Sequence, residues 1–282
     1  MNWLQIDIDL YQKILFDNCK KLIYFLFQDN ETSSLFLATT LAYKYSIDKE
    51  LIFILKDLGI IHLLVLSGSQ VGFINKYYEY IYYFLKMIWP QNTWKILWLI
   101  KKLVVIATLS LVCKIANFDP PIVRASIFIF IYYLNHRIHL ILKILLCLIL
   151  QLLIFPESSK SLSMLLSWIS FLILILIDQI KIKEIFKIIL LSILCQIVVI
   201  LTLKKGNPGI FLWNKLIIAN VIGCYFFNKT VFPLTAIITI SGFTMCFISI
   251  DLAYLNWLKP MLSSINFLII HFIEIIRKFS YS

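Results

Sequence analysis

Apolar residues run along most of this chain in long blocks, and the few polar positions inside those blocks carry the information. Beyond residue 90 the blocks fall at about 96–112, 121–134, 138–155, 162–177, 185–203, 210–227, 231–250 and 261–276. Most approach the roughly 20 residues that cross a bilayer as a helix. They are continuous rather than alternating with the period of two that marks a half-buried strand. An earlier block runs from Gly59 to Trp89, broken near Ser67 to Gly72 and again at Asn75 and Lys76; it reads as one long bent helix or as two shorter segments. The pattern predicts an all-α polytopic membrane protein with about 8 to 9 transmembrane or re-entrant helices and a broken helix near Ser67–Gly72.

Residues 1–57 behave differently. Asp7, Asp9, Asp17, Lys20, Lys21, Asp29, Glu31, Asp48, Lys49, Glu50, Lys56 and Asp57 interrupt short apolar stretches. A span tolerates few such charges, so this part is expected to form amphipathic helices at the membrane surface. The division is therefore an N-terminal interfacial segment, 1–57, and a transmembrane domain, 58–282. The opening MNWLQIDIDLYQK is acidic where a cleavable signal carries positive charge, so no processing is expected there.

Composition agrees with the pattern and removes the soluble classes. Hydrophobic residues make up 61% of the chain and charged residues 15%, against roughly 45–50% and 25% in soluble domains. The net charge of +11 is the ordinary balance of an inner-membrane protein, whose Lys and Arg collect on the cytoplasmic side, and does not by itself point to nucleic acid. His136, Arg137, Lys143, Lys181, Lys183, Lys187, Lys229, Arg277 and Lys278 fall on one side of the predicted spans, which is then cytoplasmic; Lys204 and Lys205 are the exception. Lys101 and Lys102 lie inside the 96–112 block, so that segment must snorkel, sit shallow or face a polar interior. The six cysteines stand singly, with no CxxC pair, and read as buried hydrophobes with no disulfide framework and no zinc site.

Two stretches hold residues that an apolar helix does not need. In His62 to Gly72, HLLVLSGSQVG, Gly68 and Gly72 form a small-xxx-small pair, and Ser67, Gly68 and Ser69 supply a place to break the helix. One reading is a packed helix interface with a hydrogen-bonded histidine; the other is a broken segment lining a water-filled path. In Asn117 to Ser126, NFDPPIVRAS, a double proline opens a span and Arg124 lies on its first turns. Arg124 either snorkels to the headgroups or points into the bundle, where its planar fork suits a phosphate or a carboxylate.

These residues carry a resemblance. The His62 to Gly72 stretch resembles the HLLxxSGxHVG signature of the membrane-embedded competence domain of ComEC-type DNA-uptake proteins, and Pro121 to Ser126, PIVRAS, resembles that family's PSxxRA motif. Pro156 with Leu166 to Ser170, LSWIS, which includes Ser167, is similar to its P…LSFLA stretch. Gln196 and the Ala219-Asn220 pair stand where the family shows AQ and aN segments. Phe36 to Ala42, FLATTLA, resembles the segment upstream of the signature. The resemblance covers about residues 30–250, in order. It implies a multi-pass bacterial inner-membrane channel component that passes single-stranded DNA during natural transformation. Its path residues would be His62, Ser67, Gly68, Gln70, Gly72, Arg124, Ser167 and Asn220. It also implies as partners the lipid bilayer, a separate nuclease and a cytoplasmic DNA motor, with oligomeric state left open.

Two departures bear on that transfer. Gln70 replaces the second histidine of the signature, so a titratable group gives way to one that only exchanges hydrogen bonds. At 282 residues the chain is expected to hold the membrane domain and neither the extracellular OB-like domain nor the C-terminal metallo-hydrolase domain of larger members, since no HxHxDH cluster occurs. No enzyme activity, cofactor or metal is expected. His136 and His139 lack a third ligand, and His271 reads as a packed or interfacial residue. An intramembrane hydrolase using Ser67 or Ser69 would need a histidine base that a continuous helix keeps out of reach. A small-solute or lipid transporter, or a non-translocating scaffold subunit, is the alternative, because broken helices and a membrane arginine serve transporters generally. Tyr77, Tyr78, Tyr80, Tyr82 and Tyr83 form either an interfacial aromatic belt or a base-stacking surface.

Overall fold

A computed structural model of the chain describes residues 2–27, 29–43, 47–57, 68–135, 137–156, 162–180, 221–248 and 259–281, with scattered positions from 183 to 219 and at 252 and 256. Among the described residues every regular element is a helix: α1 Asn2–Leu26, α2 Asn30–Leu41, α3 Lys49–Asp57, α4 Gly68–Ile88, α5 Trp94–Ile115, α6 Pro120–Leu134, α7 Leu140–Ile154, α8 Leu162–Asp178, α9 Phe232–Thr244 and α10 Lys259–Tyr281. A 3-10 turn, Gln91–Thr93, leads into α5, and a π-helical turn, Phe227–Val231, leads into α9.

Among the described residues two stretches are long and apolar enough to cross a membrane, Gln91–Ile115 and Val221–Thr244, and Pro120–Leu134, Leu140–Ile154 and Met164–Ile177 are shorter apolar helices. The blocks at 96–112, 121–134, 138–155 and 162–177 thus become α5 to α8. The block at 231–250 yields a helix that stops earlier, at Thr244. The stretches 185–203 and 210–227 fall largely outside the described residues.

The core forms three adjoining clusters. The first joins α1, α2, α3, α9 and α10, with Leu15, Cys19, Phe36, Leu55, Phe232 and Phe272 among its members. The second joins α4, α5 and α6 to the inner face of α9 through Val71, Ile74, Val105, Ile122 and Ala236. The third joins α6, α7 and α8 through Ile131, Cys147, Met164 and Trp168. Helix α9 links the first two clusters and α6 the last two, so the segment 1–57 shares a core with the remainder.

Within that segment, for which the polar interruptions predict surface helices, α2 is buried from Thr32 to Leu41 except at Ser34. Local hydrogen bonds satisfy several of its polar groups, while Thr40 Oγ1 is buried without a partner among the described residues. Asp29 caps the helix by accepting from Thr32 N at 2.8 Å, Ser33 Oγ donates to Phe27 O at 2.7 Å, and Thr39 Oγ1 donates to Leu35 O at 2.9 Å. A hydroxyl satisfied within its own turn can enter a core. Helix α1 crosses α9 at Gly242, where a Cβ would lie 2.4 Å from Cys19 Sγ.

Candidate functional site

The site is built where α5 reverses into α6. Helix α5 ends at Ile115, and Asn117 and Phe118 take positive φ, 50° and 54°. Phe118 N donates to Cys113 O at 2.8 Å, closing the reversal. Pro120 and Pro121 then occupy the first helical positions of α6, where a missing N–H removes nothing and φ is already set. Arg124 follows on the next turn and is directed inward, 7% exposed.

Its guanidinium lies between α4 and α8. Arg124 Nη1 donates to Ser167 Oγ, and the guanidinium carbon stands 4.8 Å from the Phe171 ring centroid and 5.8 Å from that of Trp168. Arg124 Nε is buried without a hydrogen-bond partner among the described residues. The ion pairs found there, Lys101–Glu79, His271–Glu274 and Arg277–Glu31, do not involve Arg124. A buried guanidinium without a carboxylate is costly, and the Ser167 hydroxyl and the Phe171 and Trp168 rings are the partners that offset that cost here.

Gly68 closes the opposite side. A Cβ there would lie 3.3 Å from Pro121 O, 3.4 Å from Ala125 Cβ and 3.8 Å from Arg124 Nη2. The absent side chain lets α4 approach α6 at the arginine. Gly72, its small-xxx-small partner, is exposed and has open space where a Cβ would stand. Only the first member of the pair makes a close approach.

A second group of polar side chains supports the arginine from behind. Gln151 of α7 donates through Nε2 to Pro120 O at 3.2 Å and accepts from Trp168 Nε1 at 2.9 Å. Cys147 Sγ donates to Arg124 O at 3.4 Å. Gln151 thereby connects the start of α6 to α8, which presents Ser167 and Phe171. Sequence reasoning missed Gln151 and the indole N–H of Trp168. The signal present was the spacing of Lys143, Cys147 and Gln151, four residues apart on one face of an otherwise apolar helix.

Gln70 turns to another neighbour. It is 1% exposed, and its Nε2 donates to Thr39 O at 2.8 Å, tying α4 to α2. The FLATTLA segment and the position of the missing histidine therefore touch. Of the sequence-predicted path residues, the fold brings Gly68, Arg124 and Ser167 together, places Gln70 on the α2 side and leaves Gly72 at the surface. His62, Ser67 and Asn220 lie outside the described residues, as does part of the Ser67–Gly72 break; α4 is helical from Gly68 onward.

Of the two lysines of α5, Lys101 is buried and faces a polar interior, while Lys102 is half-buried. Lys101 Nζ lies 2.7 Å from Glu79 Oε1, and Lys102 Nζ donates to Tyr133 O. Tyr133 OH donates to Asn75 Oδ1, so Asn75, which interrupts its apolar block, also has an inward partner.

Comparison with protein families matches residues 39–281 to the family described as Competence protein. No curated protein and no solved structure matches the chain.

Proposed function

Because this chain belongs to the competence protein family, we propose that it is a multi-pass inner-membrane channel component through which single-stranded DNA enters the cell during natural transformation. The observation that carries this reading is Arg124, buried beside Ser167 with an unpartnered Nε and no carboxylate in contact among the described residues. A DNA strand is a flexible polyanion, so a path for it needs fixed positive charge and no base-specific donors. Ser167 holds one edge of the guanidinium, which leaves Nε and Nη2 able to offer a phosphate two parallel N–H bonds. The Phe171 and Trp168 rings keep the guanidinium weakly solvated and strengthen that contact.

In this reading the outward apolar faces of α5 to α8 contact lipid. Exposed Leu and Ile side chains on α7, among them Ile141, Leu145, Ile149 and Leu153, surround a helix whose polar residues are turned inward. A nuclease that supplies the single strand and a cytoplasmic motor that draws it in are the partners this role requires.

Uptake of labelled DNA into a nuclease-protected state tests the proposal. A hydrogen bond to a charged group contributes about 1.5–3 kcal/mol, so Arg124→Ala should lower uptake by about 10- to 100-fold, with protein level and surface DNA binding unchanged. Arg124→Lys keeps the charge without the planar fork and should fall between. Wild-type uptake by a normally expressed Arg124→Ala strain overturns the role of Arg124.

A further inference from the structure

At the far end of α6 from Arg124, and around the helix from it, lies a polar cavity of about 300 Å³ between α4, α5 and α6. Its wall includes Glu79, Tyr82, Trp98, Lys101, Lys102 and Tyr133. Cations and rings are interleaved there: Lys101 Nζ stands 4.8 Å from the Tyr82 centroid and 5.2 Å from that of Tyr133, and Lys102 Nζ stands 3.4 Å from that of Trp98. Lys86 also lines the cavity, which therefore holds three lysines against the single carboxylate of Glu79. Glu79 is taken up by Lys101; among the described residues neither Lys86 nor Lys102 forms an ion pair.

We propose that this cavity binds one nucleotide of single-stranded nucleic acid, its phosphate on Lys102 and Lys86 and its base against Trp98 or Tyr82. The excess of two cations supplies a phosphate site, and the adjoining rings supply stacking surface that accepts any base. An anionic lipid headgroup would satisfy the lysines but would make no use of the rings, of which that of Tyr133 is buried. An aromatic belt is an arrangement of side chains at the lipid rim; Tyr83, Trp98 and Tyr132 are exposed at the mouth of the cavity, whereas Tyr82 is half-buried and Tyr133 buried further in, against three helices. The placement beside the start of α5 and the end of α6 puts the cavity on the side that carries Arg137. The inference rests on the DNA-transport reading for its biological sense, while its binding chemistry stands separately.

The test uses purified full-length protein in zwitterionic-lipid nanodiscs and fluorescently labelled oligothymidylate. Wild-type protein should bind it with a salt dependence whose log–log slope is steeper by about 0.7 for each phosphate that a lysine neutralises. Lys102→Gln should weaken binding about tenfold and reduce that slope, and Trp98→Leu should weaken it about as much at unchanged slope, since stacking carries about 1–3 kcal/mol per base. Lys86→Gln, at a half-buried position on the rim, guards against a folding defect and should also lower the slope. Wild-type affinity and slope in all three variants overturn the cavity proposal and leave the channel reading standing. No oligothymidylate binding by wild-type protein overturns both. A third arm measures retention of an anionic phospholipid by native mass spectrometry; a lipid adduct that depends on Lys102 and Lys86 and is undiminished by saturating oligothymidylate assigns the cavity to a headgroup and overturns the proposal.

Discussion

Single residues decide two close approaches in this molecule, and they differ in how visible they are beforehand. Gly68 stands inside a signature that already marked it, and a Cβ there would press on Pro121 O at 3.3 Å. Gly242 carries no such mark. A Cβ at Gly242 would meet Cys19 Sγ at 2.4 Å, and that thiol belongs to a helix more than two hundred residues away. Gly242→Ala should destabilise the protein by about 1–3 kcal/mol, the usual range for overpacking. Cys19→Ala in the same chain should recover most of that stability, because the next neighbour, Cys19 N at 3.4 Å, is at an ordinary distance. Thermal unfolding of both variants in detergent measures this; equal losses in the single and double variants would exclude the sulfur as the obstacle. Burial also pushes the Cys19 thiol above its usual range, so Cys19 should resist a maleimide at neutral pH until the protein is denatured.

Among the elements, α7 shows how a helix can be misread when only its apolar content is weighed. Its sequence LILKILLCLILQLLI looks suited to lipid on every side, yet Lys143, Cys147 and Gln151 form its buried stripe. Gln151 joins three helices through Pro120 O and Trp168 Nε1. Gln151→Leu leaves the indole donor and the carbonyl unsatisfied, so it should cost about 1–3 kcal/mol and loosen Trp168. Trp fluorescence and the melting temperature should both shift, whereas Leu153→Ala, on the exposed face, should move neither. Helix α2 teaches the complementary point. The charges that flank it predict a surface helix, whereas the helix is buried with the Thr32 hydroxyl on Asp29, the Ser33 hydroxyl on Phe27 O and the Thr39 hydroxyl on Leu35 O. A Ser or Thr hydroxyl that bonds a nearby backbone carbonyl does not require exposure.

For the whole molecule, the positive loops give an orientation that labelling can check. Asn117 and Arg137 are exposed and flank α6 at opposite ends. With native cysteines replaced, Asn117→Cys should react with a membrane-impermeant maleimide in intact cells, and Arg137→Cys only after the inner membrane is opened. The reverse pattern would invert the assignment. The three core clusters, joined by α9 and α6, also explain why substitutions at Gly242 and at Gln151 should add independently, since Gly242 packs on Cys19 and Leu15 of the first cluster and Gln151 bonds Trp168 of the third.

The helical class, the positions of α5 to α8, and Arg124 and Ser167 as members of one family pattern all follow from the linear pattern, because apolar block length and short motifs are local properties of a chain. Tertiary structure decided what those residues meet: Arg124 on Ser167 rather than on a carboxylate, Gln70 on the backbone of α2, Lys101 on Glu79, and α2 inside the core. Each of those joins segments far apart along the chain. The reason is physical: a hydrogen bond or a close crossing depends on where two helices come to lie, and residue spacing within one helix says nothing about its neighbour's face.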